Sequence, residues 1–251
     1  MAIKDMPIDQ FIEQECKINK HYGLAREKPE RFNDWQTNKA VRSLYYNWIM
    51  SDSNCPSLKL DIEFPQKEIL AEVEAQKHRF VKHRGENHPG WFSMAIHGQG
   101  VEFTDPKHDY PDNTNPYDWT ELAELCPVTV DWLKNTWPFY EYDRVRFMLL
   151  KPGGWISPHK DYDTRKLAAY NVAISNPPGV EFAMEQADLI PWEVGDVRAI
   201  DIGRFHAVRH TGTEDRIHMI IHGKPHANHQ ELMCRSYDIL NEQLIVLHQS
   251  S

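Results

Sequence analysis

The sequence predicts a mainly β protein, a sandwich or barrel with helices added on its outside. Three observations predict it. Short apolar runs recur at near-even spacing between Arg144 and His222. Each is stopped by turn residues, as in Lys151-Pro152-Gly153-Gly154 and Asn176-Pro177-Pro178-Gly179. No long helical pattern interrupts them, which argues against alternating βαβ units. The chain has 251 residues, 41% of them hydrophobic. That is enough for one sizeable core, so a single domain over residues 1–251 is expected.

The elements are predicted in order as follows. Ile8, Phe11, Ile12 and Cys16 recur at helical spacing and predict a helix over residues 8–28. Residues 29–65 are broken by Pro29, Pro56 and Pro65, with a short strand or helical turn at Leu44–Ile49. A second helix is expected from Gln66 to His83, with Ile69, Leu70, Val73 and Phe80 along one side. Trp91–Ile96 is apolar and aromatic, as in a buried strand. Residues 98–118 are rich in Asp, Pro, Asn and Gly, and so long a loop is a candidate lid. A helix over Trp119–Trp137 follows, ended by Pro138. Strands are then expected at Arg144–Leu150, Trp155–Pro158, Leu167–Ser175, Val180–Met184, Val197–Ile202, Phe205–His210 and Ile217–His222, and a terminal helix at Gln230–Gln249. The organisation read from this is a helical and mixed elaboration over 1–140, a β core over 141–223, and a tail over 224–251.

Composition narrows the function classes. The formal net charge is −9 and no long basic run occurs, so nucleic acid and anionic membrane surfaces are not expected partners. Cys16, Cys55, Cys126 and Cys234 are scattered, which gives neither a zinc ribbon nor a CxxC redox pair. Together with an N-terminus that has no apolar signal core, this predicts a cytoplasmic protein without transmembrane helices. The oligomeric state is not readable.

The chemistry lies in His159-Lys160-Asp161, with His206 47 positions after His159 and Arg216 ten positions after His206. Two imidazoles and a carboxylate cover one face of an octahedral ion and leave three positions open, an arrangement suited to non-haem Fe(II). In extended chain His159 and Asp161 project to one side and Lys160 to the other. The second histidine must come from another strand. His206 follows the tight turn Gly203-Arg204-Phe205 and is favoured; His210, His218 and His222 compete. Arg216 supplies a planar fork for a carboxylate. Its plainer alternative is pairing with surface carboxylates such as the adjacent Glu214 and Asp215. Trp91, Trp155 and Tyr162 are aromatic candidates for the pocket mouth. Arg144, Arg146, Lys160 and Arg165 are candidates to hold a substrate carboxylate.

From Tyr142 to Gly223 the chain resembles the Fe(II)- and 2-oxoglutarate-dependent dioxygenases, and among them the aspartyl/asparaginyl β-hydroxylase-type group, which includes bacterial free-proline hydroxylases. The resemblance rests on Arg146–Gly153, Ser157–Tyr162, Glu193–Val197, Phe205–Val208 and Arg216–His218. It implies a double-stranded β-helix, or jelly-roll, with metal ligands His159, Asp161 and His206 and with Arg216 on the co-substrate. Members often carry Arg-x-His on the strand after the first ligand. Here that stretch is Ala169-Tyr170-Asn171, which leaves Asn171 as the second co-substrate contact. The implied cofactors are Fe(II), 2-oxoglutarate and O2. The implied reaction is hydroxylation of an unactivated C–H bond, with release of succinate and CO2. The implied substrate is a free amino acid or an amino-acid side chain in a peptide. Two other readings stand beside it: a cupin-type metalloenzyme (an isomerase or a dioxygenase independent of 2-oxo acids), and a non-catalytic jelly-roll binding module.

Overall fold

The computed structural model describes residues 55–84, 88–103, 116–161, 169–185 and 187–249. The helix expected over 8–28, the element at 44–49 and most of the candidate lid lie outside them. Twelve strands are described. They are β1 (Ser57–Lys59), β2 (Val81–Lys82), β3 (Trp91–Gly98), β4 (Asp118–Trp119), β5 (Phe139–Leu150), β6 (Trp155–His159), β7 (Tyr170–Ser175), β8 (Val180–Met184), β9 (Asp188–Leu189), β10 (Val197–Ile200), β11 (His206–His210) and β12 (Arg216–Pro225). The helices are α1 (Gln66–Ala75), α2 (Leu122–Leu125), α3 (Pro127–Asn135) and α4 (His229–Gln249). None of these helices is long and apolar enough to cross a membrane.

The strands form two antiparallel sheets. The large one runs β1-β10-β7-β12-β5-β3-β2, with β4 paired to β3. The small one runs β6-β11-β8-β9. This is the mainly β jelly-roll expected, with helices outside it. Residues before 141 contribute β1, β2 and β3 to the same large sheet as β5 and β12.

Strand alternation divides the large sheet into two chemistries. On β12, Ile217, Met219 and Ile221 pack into a core with α1 and α3, whose contributions include Ile69, Val73, Trp132 and Leu133. The intervening Arg216, His218, Ile220 and His222 face a cavity between the sheets. β5 does the same: Val145 and Phe147 join the helical core, while Met148 and Leu150 join a second core with Ile156, Phe182 and Val208 of the small sheet. The helices are tied down by polar contacts. Val128 and Thr129 at the start of α3 donate their backbone N–H groups to the Glu72 carboxylate at 2.6 and 3.0 Å. This anion satisfies donors that a helix start leaves open. Trp132 Nε1 donates to the Glu63 carbonyl at 2.7 Å.

Several boundaries differ from those predicted. The helix expected over Gln66–His83 ends at Ala75. A 3-10 turn follows at Lys77–Arg79, because Val81 and Lys82 are claimed as strand partners by Ser93 and Phe92. The helix expected over Trp119–Trp137 is two helices. Pro127 starts α3 afresh, and Trp119 pairs with His97 across β3 and β4. β5 begins at Phe139, five residues before the expected start, because β12 runs on to Pro225 and pairs with it there. Glycine matters at two points. Gly195 adopts φ +90° in the turn before β10, a conformation costly to residues with a Cβ. Gly223 sits at a bulge where a Cβ would lie 2.2 Å from the Glu141 carbonyl oxygen.

Two predictions follow from this packing. Gly223→Ala forces β12 away from β5 and should lower unfolding stability by about 1–3 kcal/mol in urea titrations. His229, 1% exposed at the start of α4, hydrogen bonds through its ring to the Tyr170 hydroxyl, and burial lowers its pKa to about 4. Between an unfolded value near 6.5 and this folded value, the unfolded chain takes up a proton that the native chain refuses. Stability therefore falls as pH drops through that window, by roughly 3 kcal/mol from this group. His229→Gln should shrink the difference between unfolding midpoints at pH 7 and pH 5; an unchanged difference contradicts the assignment.

Candidate metal and anion site

β6 and β11 pair so that His159 lies opposite His206. The pairing is irregular. His206 to Val208 spans two residues of β11, while the matching stretch from His159 to Ile156 spans three of β6. The extra residue is a bulge at Ser157-Pro158. Proline has no N–H to lose from the ladder there, and the Ser157 N–H leaves the ladder to donate to His88 Nδ1 at 3.1 Å. The bulge resets the alternation, so that Ile156 and His159, three apart, both line the cavity.

Both histidines are oriented by their own chains. His159 Nδ1 donates to the Ser157 carbonyl at 2.8 Å, and His206 Nδ1 donates to the Arg204 carbonyl at 3.0 Å. A carbonyl only accepts, so each Nδ1 carries a proton, and in the neutral ring that leaves Nε2 as the lone-pair atom. The two rings stand 4.3 Å apart between centroids. Asp161 lies just past the end of β6, its N–H donating to the Ile202 carbonyl at 3.1 Å. Its carboxylate oxygens lie 3.8 Å from His159 Nε2 and 4.0 Å from His206 Nε2. One ligand atom from each of the three residues falls within 4.8 Å of the others. These spacings exceed hydrogen-bond length, so the donors surround a shared point without satisfying one another. Burial, reinforced by the neighbouring His206, lowers the His159 pKa to about 3 and keeps it neutral. Burial alone would raise the Asp161 carboxyl, but the adjoining His159 and His206 outweigh it and hold it below its usual value. The Asp161 side chain is 45% exposed, which leaves an open approach to the cluster. Lys160 points away, onto Glu185 and the ring of Phe205.

Arg216 faces the same cavity from the large sheet. It is 2% exposed, and its one partner among the described residues is His218, whose Nδ1 accepts from Nη1 at 3.0 Å. The neighbouring carboxylates are engaged elsewhere or turned away: Asp215 pairs with Lys77, and Glu214 meets His210 only through its backbone carbonyl. The surface-pairing alternative for Arg216 is thereby removed. Burial lowers the Arg216 pKa to about 10, and His218 is held far below its usual value by burial and by Arg216 itself, so that the imidazole accepts rather than competes.

The remaining candidates separate clearly. Trp91, Arg146 and Asn171 line the cavity. Trp155 does not: it pairs in register with Arg209, whose guanidinium is bound to Glu181 outside the cavity. The bulge that turned Ile156 inward turned Trp155 out. Tyr162 and Arg165 lie outside the described residues. His210 is absent from the cavity, its two ring nitrogens taken up by the Glu214 carbonyl and the Gly212 N–H. Sequence reasoning missed His83, Arg84 and His88 and weighed His218 and His222 only as rivals of His206 for the metal. The inward parity of β12 placed His218 and His222 with Arg216 and was readable. His83 and Arg84 follow the two-residue strand β2, which left no periodic signal.

Residues 62–225 match the sequence model of the aspartyl/asparaginyl β-hydroxylase family. No curated protein matches the chain. Solved structures with a similar fold include a 2OG-Fe(II) oxygenase family oxidoreductase from Burkholderia pseudomallei, at 11% identity and TM-score 0.45 over 72% of this chain and 90% of that one. A prolyl-4-hydroxylase from Pseudomonas putida matches at 13% identity and TM-score 0.43, over 72% of this chain and 100% of that one. HygX from Streptomyces hygroscopicus, with nickel and 2-oxoglutarate bound, matches at 11% identity and TM-score 0.43, over 74% and 88%. These likenesses are too distant to carry argument. The family match spans well over half the chain, and on that ground this protein is an enzyme of the aspartyl/asparaginyl β-hydroxylase family, a group of 2-oxoglutarate-dependent oxygenases.

Proposed function

We propose that the protein is an Fe(II)- and 2-oxoglutarate-dependent dioxygenase that hydroxylates an unactivated C–H bond of a small polar substrate, a free amino acid or an amino-acid side chain in a peptide. The observation that carries this reading is the buried Arg216 guanidinium, which faces the His159–Asp161–His206 cluster across one cavity without a carboxylate partner among the described residues. A buried charge left without a counter-ion costs several kcal/mol, so the position calls for an anion from outside the chain.

The donor set fits a divalent iron. In neutral form His159 and His206 present their Nε2 atoms, Asp161 offers an anionic oxygen, and no thiolate among the described residues joins them to favour a softer metal. When bound there, iron supplies the oxygen-activating chemistry that no side chain can perform. The chain supplies position. The Ser157 and Arg204 carbonyls lock both rings, which keeps the donors aimed before any metal arrives. Arg216 holds the distal carboxylate of 2-oxoglutarate by its planar fork, and His218 fixes the fork's angle from behind. Asn171, also facing the cavity, is placed to donate a further hydrogen bond to the co-substrate. Ile156, Phe182, Val208 and Ile220 give the space apolar walls. In the overall reaction one oxygen atom enters succinate and the other the hydroxylated product, with carbon dioxide as the third product. Two electrons come from 2-oxoglutarate and two from the C–H bond, and together they reduce O2.

Two measurements test this. Arg216→Gln should weaken 2-oxoglutarate binding to the manganese-substituted protein about 100-fold by calorimetry, with Arg216→Lys recovering only part, since an ammonium lacks the fork. Binding within about threefold of the parent protein overturns the role of Arg216. Asp161→Ala and His206→Ala, each checked for folding by circular dichroism, should lose both metal binding and substrate-linked succinate formation. Full activity in either variant removes that residue from the ligand set.

A further inference from the structure

The three candidate donors come from two short segments. His159 ends β6 and Asp161 lies two residues on, while His206 opens β11. Each imidazole is tied to a backbone carbonyl of its own chain. The Asp161 carboxylate has no tether of that kind among the described residues. Its place is set by a backbone that has already left the strand, and its side chain is 45% exposed. The carboxylate stays beside the two rings only if that arm is held against the start of β11.

The residue between the two donors is placed to hold it. Lys160 turns away from the cavity, and its Nζ lies 3.4 Å from Glu185 Oε2 and 4.5 Å from the centre of the Phe205 ring. The same Glu185 oxygen accepts the Phe205 N–H at 3.3 Å, and the Glu185 N–H donates to the Phe205 carbonyl at 2.7 Å. Phe205 is the residue before His206. One carboxylate oxygen therefore grips both arms of the site, and each grip is one residue away from a donor. Phe205 is 4% exposed, so its ring is a fixed floor for the ammonium. Lys160 and Glu185 are mostly covered, at 15% and 25% exposed. The ammonium is attracted both to the carboxylate and to the face of the ring.

An ion pair of this kind contributes little to global stability. Its contribution here is local. Releasing Lys160 frees the chain that carries Asp161 and leaves both rings on their carbonyls. The shared point then loses its anionic donor while the fold stays intact.

We propose, resting on the metal-dependent reading above, that Lys160 and Glu185 are positioning residues of the metal centre. Seated on Phe205, their ion pair ties the His159-Lys160-Asp161 arm to the start of β11 and holds the Asp161 carboxylate at the point it shares with both imidazoles. Lys160 is then a support of the metal centre and does not hold a substrate carboxylate.

The test measures Mn(II) affinity of the full chain by calorimetry, with the melting temperature of the metal-free protein beside it. Glu185→Gln keeps an acceptor for the Phe205 N–H and removes the charge. Lys160→Met keeps the stem over the ring and removes the ammonium. Each should weaken Mn(II) binding about tenfold or more, as for other groups that orient metal ligands, with the metal-free melting temperature close to the parent's. The double variant should bind no more weakly than the single ones, because both changes break one link. Lys160→Arg, which keeps the charge and can lie on the ring, should bind within about threefold of the parent. Lys224→Met removes an ion pair with Glu141 on another part of the large sheet and should leave Mn(II) affinity unchanged. Parent-like affinity in both single variants overturns the proposal, whether or not their melting temperatures fall. So does full additivity in the double variant, and so does an equal loss of affinity in Lys224→Met. If Glu185→Gln does not fold, Lys160→Met and its Arg counterpart decide the question. Failure of the parent protein to bind Mn(II) at all would instead sink the metal-dependent reading itself.

Discussion

The antiparallel pairing of β6 with β11, offset by one bulged residue, is the constraint on which the site depends. A one-residue change of register in a strand exchanges its two faces. With regular pairing, either Ile156 or His159 would face the cavity, but not both. The bulge admits an apolar wall residue and a candidate metal donor from one short strand. The same irregularity releases the Ser157 N–H to His88 and leaves the Ser157 carbonyl to orient His159. One local departure from ideal geometry therefore sets the position, the tautomer and the surroundings of that histidine. His206 reaches the same state from a regular strand by way of the Arg204 carbonyl.

The large sheet solves a different problem. Its outer face is buried under α1 and α3, and its inner face carries buried cations, an expensive arrangement for a β-sheet. The outer core of Ile69, Val73, Trp132, Phe147, Met219 and other buried side chains holds the sheet whether or not the cavity is filled. Charge on the inner face is thus supported by apolar packing on the outer one, strand by strand, through simple alternation on β5 and β12. The His218–Arg216 contact shows how the cost is contained. A neutral imidazole satisfies part of the guanidinium without neutralising it, so the charge remains available to an incoming anion.

Much of this was legible in the sequence, and the illegible parts share a cause. The strands of the second half, the turn at Gly153, and the cluster of His159, Asp161, His206 and Arg216 follow from local pattern and spacing. The preference for His206 over His210 rested on the turn Gly203-Arg204-Phe205, and the pairing of β11 with β6 sets His206 opposite His159. Trp155 was misjudged because a bulge is invisible to a strict period of two. β1, β2 and β4 are two or three residues long and exist only through pairing with distant strands. No periodicity can accumulate over such lengths, and His83 and Arg84 were lost with β2. The helix over Gln66–His83 was overextended for the same reason: pairing with β3 prevailed over local helical preference.

The division of labour between the sheets has a thermodynamic consequence. The histidines lie on the small sheet, with Asp161 just past the end of β6, while Arg216, Arg146 and His218 lie on the large one. The two sheets meet across a modest apolar core built around Met148, Leu150, Ile156, Phe182 and Val208. A ligand that touches a metal on one sheet and a guanidinium on the other adds a polar link to that apolar contact. It binds the folded, sheet-paired state alone, so its binding free energy is also packing free energy between the sheets.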